Sequence, residues 1–315
     1  MSLVVLGSVN ADLVIRGPKL PRPGETVLGG EFFRAAGGKG ANQAVAAARA
    51  GRDTVIFLAA VGDDPFGRQS LAGLAAEGID CQWIRTVGGS ATGVALILVD
   101  PQGENLISVA SGANLALTPD WVDGVPDEVF APAKVFLASL ESPAAAVERG
   151  LSRARRASVR TVLNPAPALS PEVAEPQWRL ADVLTPNEHE AAMLSGMPVD
   201  SVESAVAAAR QLQARRAGDL IVTLGSQGCV VVEKNVPPVV VPPLPVQAID
   251  ATAAGDAFSG ALAVALSEGK SLVDAARFAT AAAGIAVTRA GAQPSLARRE
   301  EIEAALSQRT TSCRE

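Results

Sequence analysis

Short runs of apolar, often β-branched residues occur at positions 3–6, 54–58, 134–138, 161–163, 182–184 and 220–224. They alternate with Ala-rich stretches of helical spacing at 41–50, 66–77, 143–157, 202–215, 256–266 and 272–287. Glycines such as Gly51 and Gly78 stand where helix C-caps are expected. Continuous apolar strands between helices predict βα units on a buried, mostly parallel sheet, hence an open, doubly wound α/β fold flanked by helices.

Two early regions break this rhythm. Segments 13–15 and 26–33, and the pair 93–99 and 105–110 joined by Asp100-Pro101-Gln102-Gly103, read as antiparallel strands with turn residues between them. They predict a small antiparallel β-sheet, inserted at about 11–36 and 91–111 in one α/β domain spanning 1–315, and folded as a lid over one edge of the main sheet. Flaps of this kind usually cover ligands. The Pro-rich stretch 236–245 is short and flanked by strand-like runs, so it reads as an ordered loop rather than a linker.

Composition narrows the function classes. In 315 residues, 48% are hydrophobic and 19% charged, which suits a packed globule and neither a disordered chain nor a coiled coil. A net charge of −6 with no block of Lys or Arg gives no footprint for nucleic acid. With one histidine, His189, and three scattered cysteines, Cys81, Cys229 and Cys313, neither a zinc motif nor a disulfide framework can be written. The opening segment lacks a basic signal-peptide region and no apolar run reaches membrane length. A cytoplasmic protein without a membrane partner is the expectation.

Four segments carry candidate chemistry. Asp250-Ala251-Thr252-Ala253-Ala254-Gly255-Asp256 leads small residues into an apolar helix. Amides at Ala253, Ala254, Gly255 and Asp256, aided by the helix dipole, can hold an anion while Asp256 takes a proton from a hydroxyl. Taken alone, Asp256 reads as an ordinary acid in a first turn, and spacing does not lift it above that. Gly37-Gly38-Lys39-Gly40-Ala41-Asn42-Gln43 is a second glycine-rich helix start, where Lys39 either binds phosphate or sugar hydroxyls or is simply solvated. Asn10-Ala11-Asp12 after the first strand and Glu141 after the strand at 134–138 fall at carboxyl ends of strands, where ligands of open α/β sheets sit. Each also reads as a turn or cap residue; their convergence on one end of one sheet is the stronger signal.

Two further segments are weaker. Asn187 and Glu190 of Thr185-Pro186-Asn187-Glu188-His189-Glu190 either reach a hydrated Mg²⁺ or cap a helix. Thr223-Leu224-Gly225-Ser226-Gln227-Gly228 reads as strand-turn-strand. No Walker P-loop is present: Phe33 and Val264 stand where the first glycine would precede Lys39 and Lys270. The absence of GxGxxG and GxSxG leaves little support for a nicotinamide dehydrogenase or a serine hydrolase.

With these segments assembled, the chain resembles the ribokinase family of sugar kinases nearly from end to end. The resemblance is carried in order by residues 6–12, 23–26, 37–43, 92–96, 164–168, 185–188, 223–228, 253–258 and 291–295. It implies ATP-dependent transfer to the 5-hydroxyl of D-ribose. It places Asn10, Ala11, Asp12, Gly38, Lys39, Asn42 and Glu141 around the sugar, with Asp256 as base and 253–256 as anion hole. Asn187, the 223–228 turn, Gly255 and Thr280 are implied for ATP, with Mg²⁺ nearby through water and phosphate and Glu190 helping indirectly. A monovalent cation, usually K⁺, is implied at Asp250, Thr252, Ala286, Arg289, Gly291 and Ser295, and a homodimer through the lid.

Two positions depart from the family pattern: Ala251 replaces a common Thr in the cation loop, and Thr280 replaces a His that some members place near adenine. An ordinary Asp titrates near ~3.9, so Asp256 is expected to be ionised, weakly basic and late in accepting its proton. The alternatives are a family kinase for another small sugar (deoxyribose, fructose or 2-keto-3-deoxygluconate) or a nucleoside, or a non-catalytic sugar-binding protein on this scaffold. With 3% aromatics and no Tyr, the chain offers little to stack on a nucleobase.

Overall fold

The computed structural model describes residues 2–312, and Cys313 lies outside them. The strands are β1 (Ser2–Leu6), β2 (Asn10–Arg16), β3 (Glu31–Gly37), β4 (Thr54–Gly62), β5 (Ile84–Val87), β6 (Gly93–Val99), β7 (Asn105–Ala110), β8 (Ala133–Ser139), β9 (Arg160–Asn164), β10 (Val183–Leu184), β11 (Asp219–Thr223), β12 (Cys229–Val232) and β13 (Val239–Val241). The helices are α1 (Lys39–Ala50), α2 (Pro65–Ala76), α3 (Pro119–Asp123), α4 (Asp127–Phe130), α5 (Ala144–Arg156), α6 (Pro171–Trp178), α7 (Glu188–Ser195), α8 (Val202–Ala214), α9 (Ala254–Ser267), α10 (Leu272–Ala286) and α11 (Arg299–Ser312).

Nine strands form the main sheet in the order β13-β12-β11-β10-β9-β8-β1-β4-β5. All neighbours run parallel except β11–β12 and β12–β13. Alternation along each strand feeds two separate cores, which is why both faces of the strands are apolar. Leu3, Val5, Val135 and Leu137 join the core beneath α1, α9 and α10, while Val4, Leu6, Phe136 and Ala138 join the one beneath α5–α8. Strand order reverses between β1 and β8, so a crevice opens beyond their carboxyl ends.

Helices α1 and α9 cross at close range because small residues line both. A Cβ at Gly260 would lie 2.6 Å from the Gln43 carbonyl oxygen and 2.6 Å from the Ala46 Cβ. At the start of α1, a Cβ at Gly40 would lie 2.4 Å from Gly7, so glycine at 40 lets this helix begin directly against the end of β1. Both crossings bring polar side chains of α1 toward the first turn of α9.

The second sheet has the order β3-β2-β6-β7. Its β2–β3 and β6–β7 pairs are antiparallel as expected, but β2 and β6 run parallel, so the sheet is mixed. The expected strand at 26–33 is displaced to Glu31–Gly37. Stretch 236–245 is not loop throughout: its Val-Val-Val segment adds β13 to the sheet edge. Gly78 adopts the left-handed conformation after α2 (φ 77°), whereas Gly51 is extended (φ −100°), so its lack of a side chain serves packing against Ala47 and Val264 rather than a left-handed cap. Among the described residues no helix is long and apolar enough to cross a membrane.

Candidate functional site

The crevice beyond β1 and β8 collects the polar groups that interrupt the apolar runs. Glu141 follows β8, and its Oε2 accepts from the Ser8 hydroxyl, the Lys39 amide at 2.8 Å and the Asn10 Nδ2 at 3.5 Å. Asn10 is itself oriented by Asn114, whose Nδ2 donates to Asn10 Oδ1 at 2.9 Å. Gly38 is the N-cap of α1, which starts the helix at Lys39. Asp12 faces the same crevice, and its carboxyl is pushed up to about 7, first by burial and then by the charges of Glu141 and Asp256.

Asp256 lies in the first turn of α9 and is almost entirely buried, at 5% exposure. Its two oxygens are held by α1: Asn42 Nδ2 donates to Oδ2 at 3.0 Å and Gln43 Nε2 to Oδ1 at 3.1 Å. Burial raises its pKa above the ordinary aspartate range, opposed by the Lys39 charge and the two amides and assisted by Glu141. The sequence expectation of an ordinary, weakly basic Asp256 is therefore corrected: removal from water favours the protonated form and strengthens the carboxylate as a base.

On the other side of Asp256 the crevice continues as a cleft lined by Lys39, Asn187, Glu190, Thr223 and the turn from Ala253 to Asp256. Ala253 is the N-cap of α9 in the left-handed conformation (φ 60°), an uncommon posture for a residue with a side chain. The Ala254 amide donates back to Ala251 at 3.2 Å, so of the expected anion hole it is spent within the chain. Gly255 and Asp256 occupy the turn in which a helix has no carbonyl four residues back to receive its amides. A Cβ placed on Gly255 would meet no protein atom within 4 Å.

Asn187 caps α7. Its Oδ1 accepts from the Glu190 amide at 2.8 Å, and Glu190 Oε2 accepts from the Asn187 amide at 2.9 Å. This reciprocal capping box still lines the cleft, and burial pushes the Glu190 carboxyl up. The Thr223 amide donates to the Pro186 carbonyl at 3.0 Å, so the end of β11 lies beside the start of α7.

Several expected residues do not reach the crevice with their side chains. Ala11 sits between Asn10 and Asp12, and the two-residue alternation of β2 turns it to the opposite face, where it lines a separate cavity with Ala41 and Leu74. Leu224 is buried in the core beneath α5–α8, and only Thr223 of the 223–228 turn lines the cleft. Thr280 is buried on α10 with its hydroxyl 3.5 Å from the Cys229 sulfur, away from the cleft lining.

Of the six residues expected around a cation, Ala286 ends α10 and the others lie in the segments before α9 and after α10, which Asp250 joins through Gly291. Asp250 accepts the amides of Thr252 at 2.9 Å and Gly291 at 2.8 Å; burial opposes its ionisation, but these donors hold its pKa low. The Ala286 carbonyl receives the Arg289 amide, Ser295 donates to the Ala292 carbonyl at 2.7 Å, and the Arg289 guanidinium turns away to Glu301.

Sequence reasoning assigned no role to Ser8, Gln43, Asn114 or Asn164, which hold the cluster together. Gln43 carried a usable signal: it lies in phase with Ala46, Ala47 and Ala50 on the buried face of α1, where an amide needs partners.

A family profile for pfkB family carbohydrate kinases matches residues 1–299. A ribokinase of Haemophilus influenzae is 44% identical over 302 residues, covering 95% of this chain and 96% of that protein. The structure of a ribokinase from Giardia lamblia superposes with a TM-score of 0.89 at 33% identity, covering 98% of each chain. An Arabidopsis thaliana ribokinase complexed with ribose and ATP superposes with a TM-score of 0.87 at 31% identity, covering 96% of this chain and 98% of that one. A buried acid at a helix start, a glycine-rich approach to it and a profile match over nearly the whole length agree: this chain belongs to the pfkB family of carbohydrate kinases and is a sugar phosphotransferase.

Proposed function

We propose that the chain, acting as one functional unit, transfers the γ-phosphoryl group of ATP to the 5-hydroxyl of D-ribose. The observation that carries this reading is the placement of Asp256. It is buried between a polar cluster of sugar-binding type, built from Asn10, Asp12, Lys39, Asn42 and Glu141, and a cleft lined by the first turn of its own helix. The ribokinases of Haemophilus influenzae and Arabidopsis thaliana, the latter bound to ribose and ATP, support the choice of sugar and donor.

Phosphoryl transfer asks for alignment and charge stabilisation more than for covalent chemistry. Asp256 aligns the hydroxyl and takes its proton as the new P–O bond forms, and its burial makes it a better acceptor than a solvated aspartate. The amides of Gly255 and Asp256 receive charge on the transferring group, and the open space at Gly255 gives that group its approach. Asn187 and Thr223 border the nucleotide end. When bound, Mg²⁺ would neutralise phosphate charge; Glu190 lines the same cleft, with one carboxylate oxygen engaged by the Asn187 amide, and would act on the ion only indirectly. The segments carrying Asp250, Thr252, Ala286, Arg289, Gly291 and Ser295 bring a carboxylate and backbone carbonyls together, oxygen donors that suit a hard monovalent cation such as K⁺.

Partial exposure of Phe33, Ile107 and Val109, which share the face of the second sheet that bears Asp12, supports lid-to-lid homodimerisation.

The test incubates the protein with ATP, Mg²⁺ and a panel of sugars, in K⁺ or in a bulky organic cation, and identifies the phosphorylated product by NMR. Ribose 5-phosphate formed fastest in K⁺ is expected; preference for another sugar overturns the substrate assignment. Asp256→Asn is expected to bind ribose and lose ~10²–10⁴ in kcat, and a near-normal kcat overturns the base.

A further inference from the structure

Gln43 touches neither the crevice nor the cleft, yet it is one of two side chains that hold Asp256. It is fully buried, with 0% of its surface exposed, on the face of α1 that packs against α9. A glutamine amide can be inserted in either sense, so what fixes this one decides whether Asp256 meets a donor or another acceptor.

The answer lies one residue further along. Asn164, at the end of β9, donates its Nδ2 to the Thr185 backbone carbonyl at 2.9 Å. A carbonyl only accepts, so Asn164 must present its Oδ1 in the other direction, toward Gln43. Gln43 in turn must present its Nε2. The two hydrogens of that group serve Asn164 Oδ1 at 3.1 Å and Asp256 Oδ1 at 3.1 Å. A backbone carbonyl thus sets, through two side-chain amides, the sense of the donor that faces the carboxylate.

The position carries a cost that packing alone does not explain. Gln43 Oε1 is buried and meets no protein donor among the described residues. An apolar side chain of the same length would remove that orphaned oxygen but would take the donor away from Asn164 Oδ1 and Asp256 Oδ1. The charged groups around Asp256 would remain: Lys39 from α1, Glu141 after β8, Asp12 from β2 and Glu190 from α7. Lys39 is the only cation among them.

We infer that Gln43 is a positioning residue for the phosphotransfer, whose Nε2, aimed by the Thr185 carbonyl through Asn164, holds the Asp256 carboxylate in its working orientation and in its charged form. This inference rests on Asp256 being the base. Asn42 supplies the other donor from the crevice side, whereas Gln43 supplies one that no substrate displaces.

Gln43→Met keeps the length of the side chain and removes both donors. Because Asn164 Oδ1 and Asp256 Oδ1 lose a donor, the full chain carrying it should melt no higher than wild type, but it should bind ribose with a KM within about threefold of wild type. Its kcat at neutral pH should fall by about tenfold or more, and the acid limb of log kcat against pH should move up by about one pH unit. If that variant does not fold, the isosteric Gln43→Glu supplies the same readout, because a neighbouring acid moves the limb in the same direction. A wild-type limb and kcat in either folded variant overturn the role of Gln43, as does a lowered melting temperature with an unmoved limb. Asp256→Asn separates the two levels: if it keeps near-normal kcat, the base assignment falls and this inference with it. If it is inactive while the Gln43 variants behave as wild type, only the inference falls.

Discussion

Asp12 offers a measurement of the charge crowding in the crevice that needs no substrate. Burial and the neighbouring acids Glu141 and Asp256 push its carboxyl from 3.8 to about 7 in the folded chain. Between these values the folded state binds a proton that the unfolded state has released. The stabilisation tied to that proton is complete below about pH 4 and is lost as pH rises through about 7. At 1.36 kcal/mol per unit of pKa, going from pH 5 to pH 8 removes about 2.5 kcal/mol through this one group. Asp12→Asn cannot lose a proton and is free of that term. Urea unfolding of wild type and Asp12→Asn at pH 5 and pH 8, without ligand, gives the comparison. Acids elsewhere in the chain contribute equally to both proteins, so the difference between the two pH-induced changes isolates the crevice. Wild type should lose about 2–3 kcal/mol more than Asp12→Asn over this range. Equal pH dependence in the two proteins would refute the claim that Asp12 is buried beside like charges.

Gly255→Ala should leave the melting temperature unchanged or slightly raised. The added methyl meets no protein atom within 4 Å, and alanine is favoured over glycine inside a helix by roughly 0.5–1 kcal/mol. The same methyl intrudes where the proposed transferring group approaches, so kcat/KM for ATP should fall in a coupled kinetic assay; an unchanged value would remove that role for the open space. With 2-deoxyribose in place of ribose, kcat/KM should drop by the equivalent of about 1–3 kcal/mol, the penalty for stranding a buried partner of the missing hydroxyl. Equal values for the two sugars would count against hydroxyl readout by Asp12 and Asn42.

The main sheet was legible because each of its long strands is buried on both faces, and burial on both faces is written as an uninterrupted apolar run. Val4 and Val5 feed different cores, so neither position tolerates a polar residue. The second sheet was legible only in part. Its strands face partly exposed surroundings and read as alternating or mixed segments, and nothing local to 10–16 or 93–99 encodes that these two run parallel. The edge strand Val239–Val241 hid among prolines because a short edge strand needs few ladder hydrogen bonds, which prolines nearby do not disturb.

At the candidate site, legibility followed the same rule in reverse. Asn10, Asp12, Glu141 and Asp256 stood out because each is a polar residue at the edge of an apolar run, the first three after a strand and Asp256 at the start of a helix, and the topology brings those edges together at the reversal of strand order. Ala11 failed the same reasoning because it was carried along with its neighbours, although two-residue alternation assigns it to the other face. Thr280 was placed by correspondence with a histidine, and its short hydroxyl side chain instead finds Cys229 inside the fold.

Gln43 and Asn164 lie deeper. Their contribution depends on which end of each amide faces which neighbour, and that is decided by a carbonyl at Thr185 and a carboxylate 213 positions away from Gln43. Spacing can flag an amide on an apolar helix face as needing partners. Only the packed chain can say that its partner is the acid on which the chemistry turns, and hence that the basicity of Asp256 is set jointly by burial, by Lys39 and by two adjacent amides on α1.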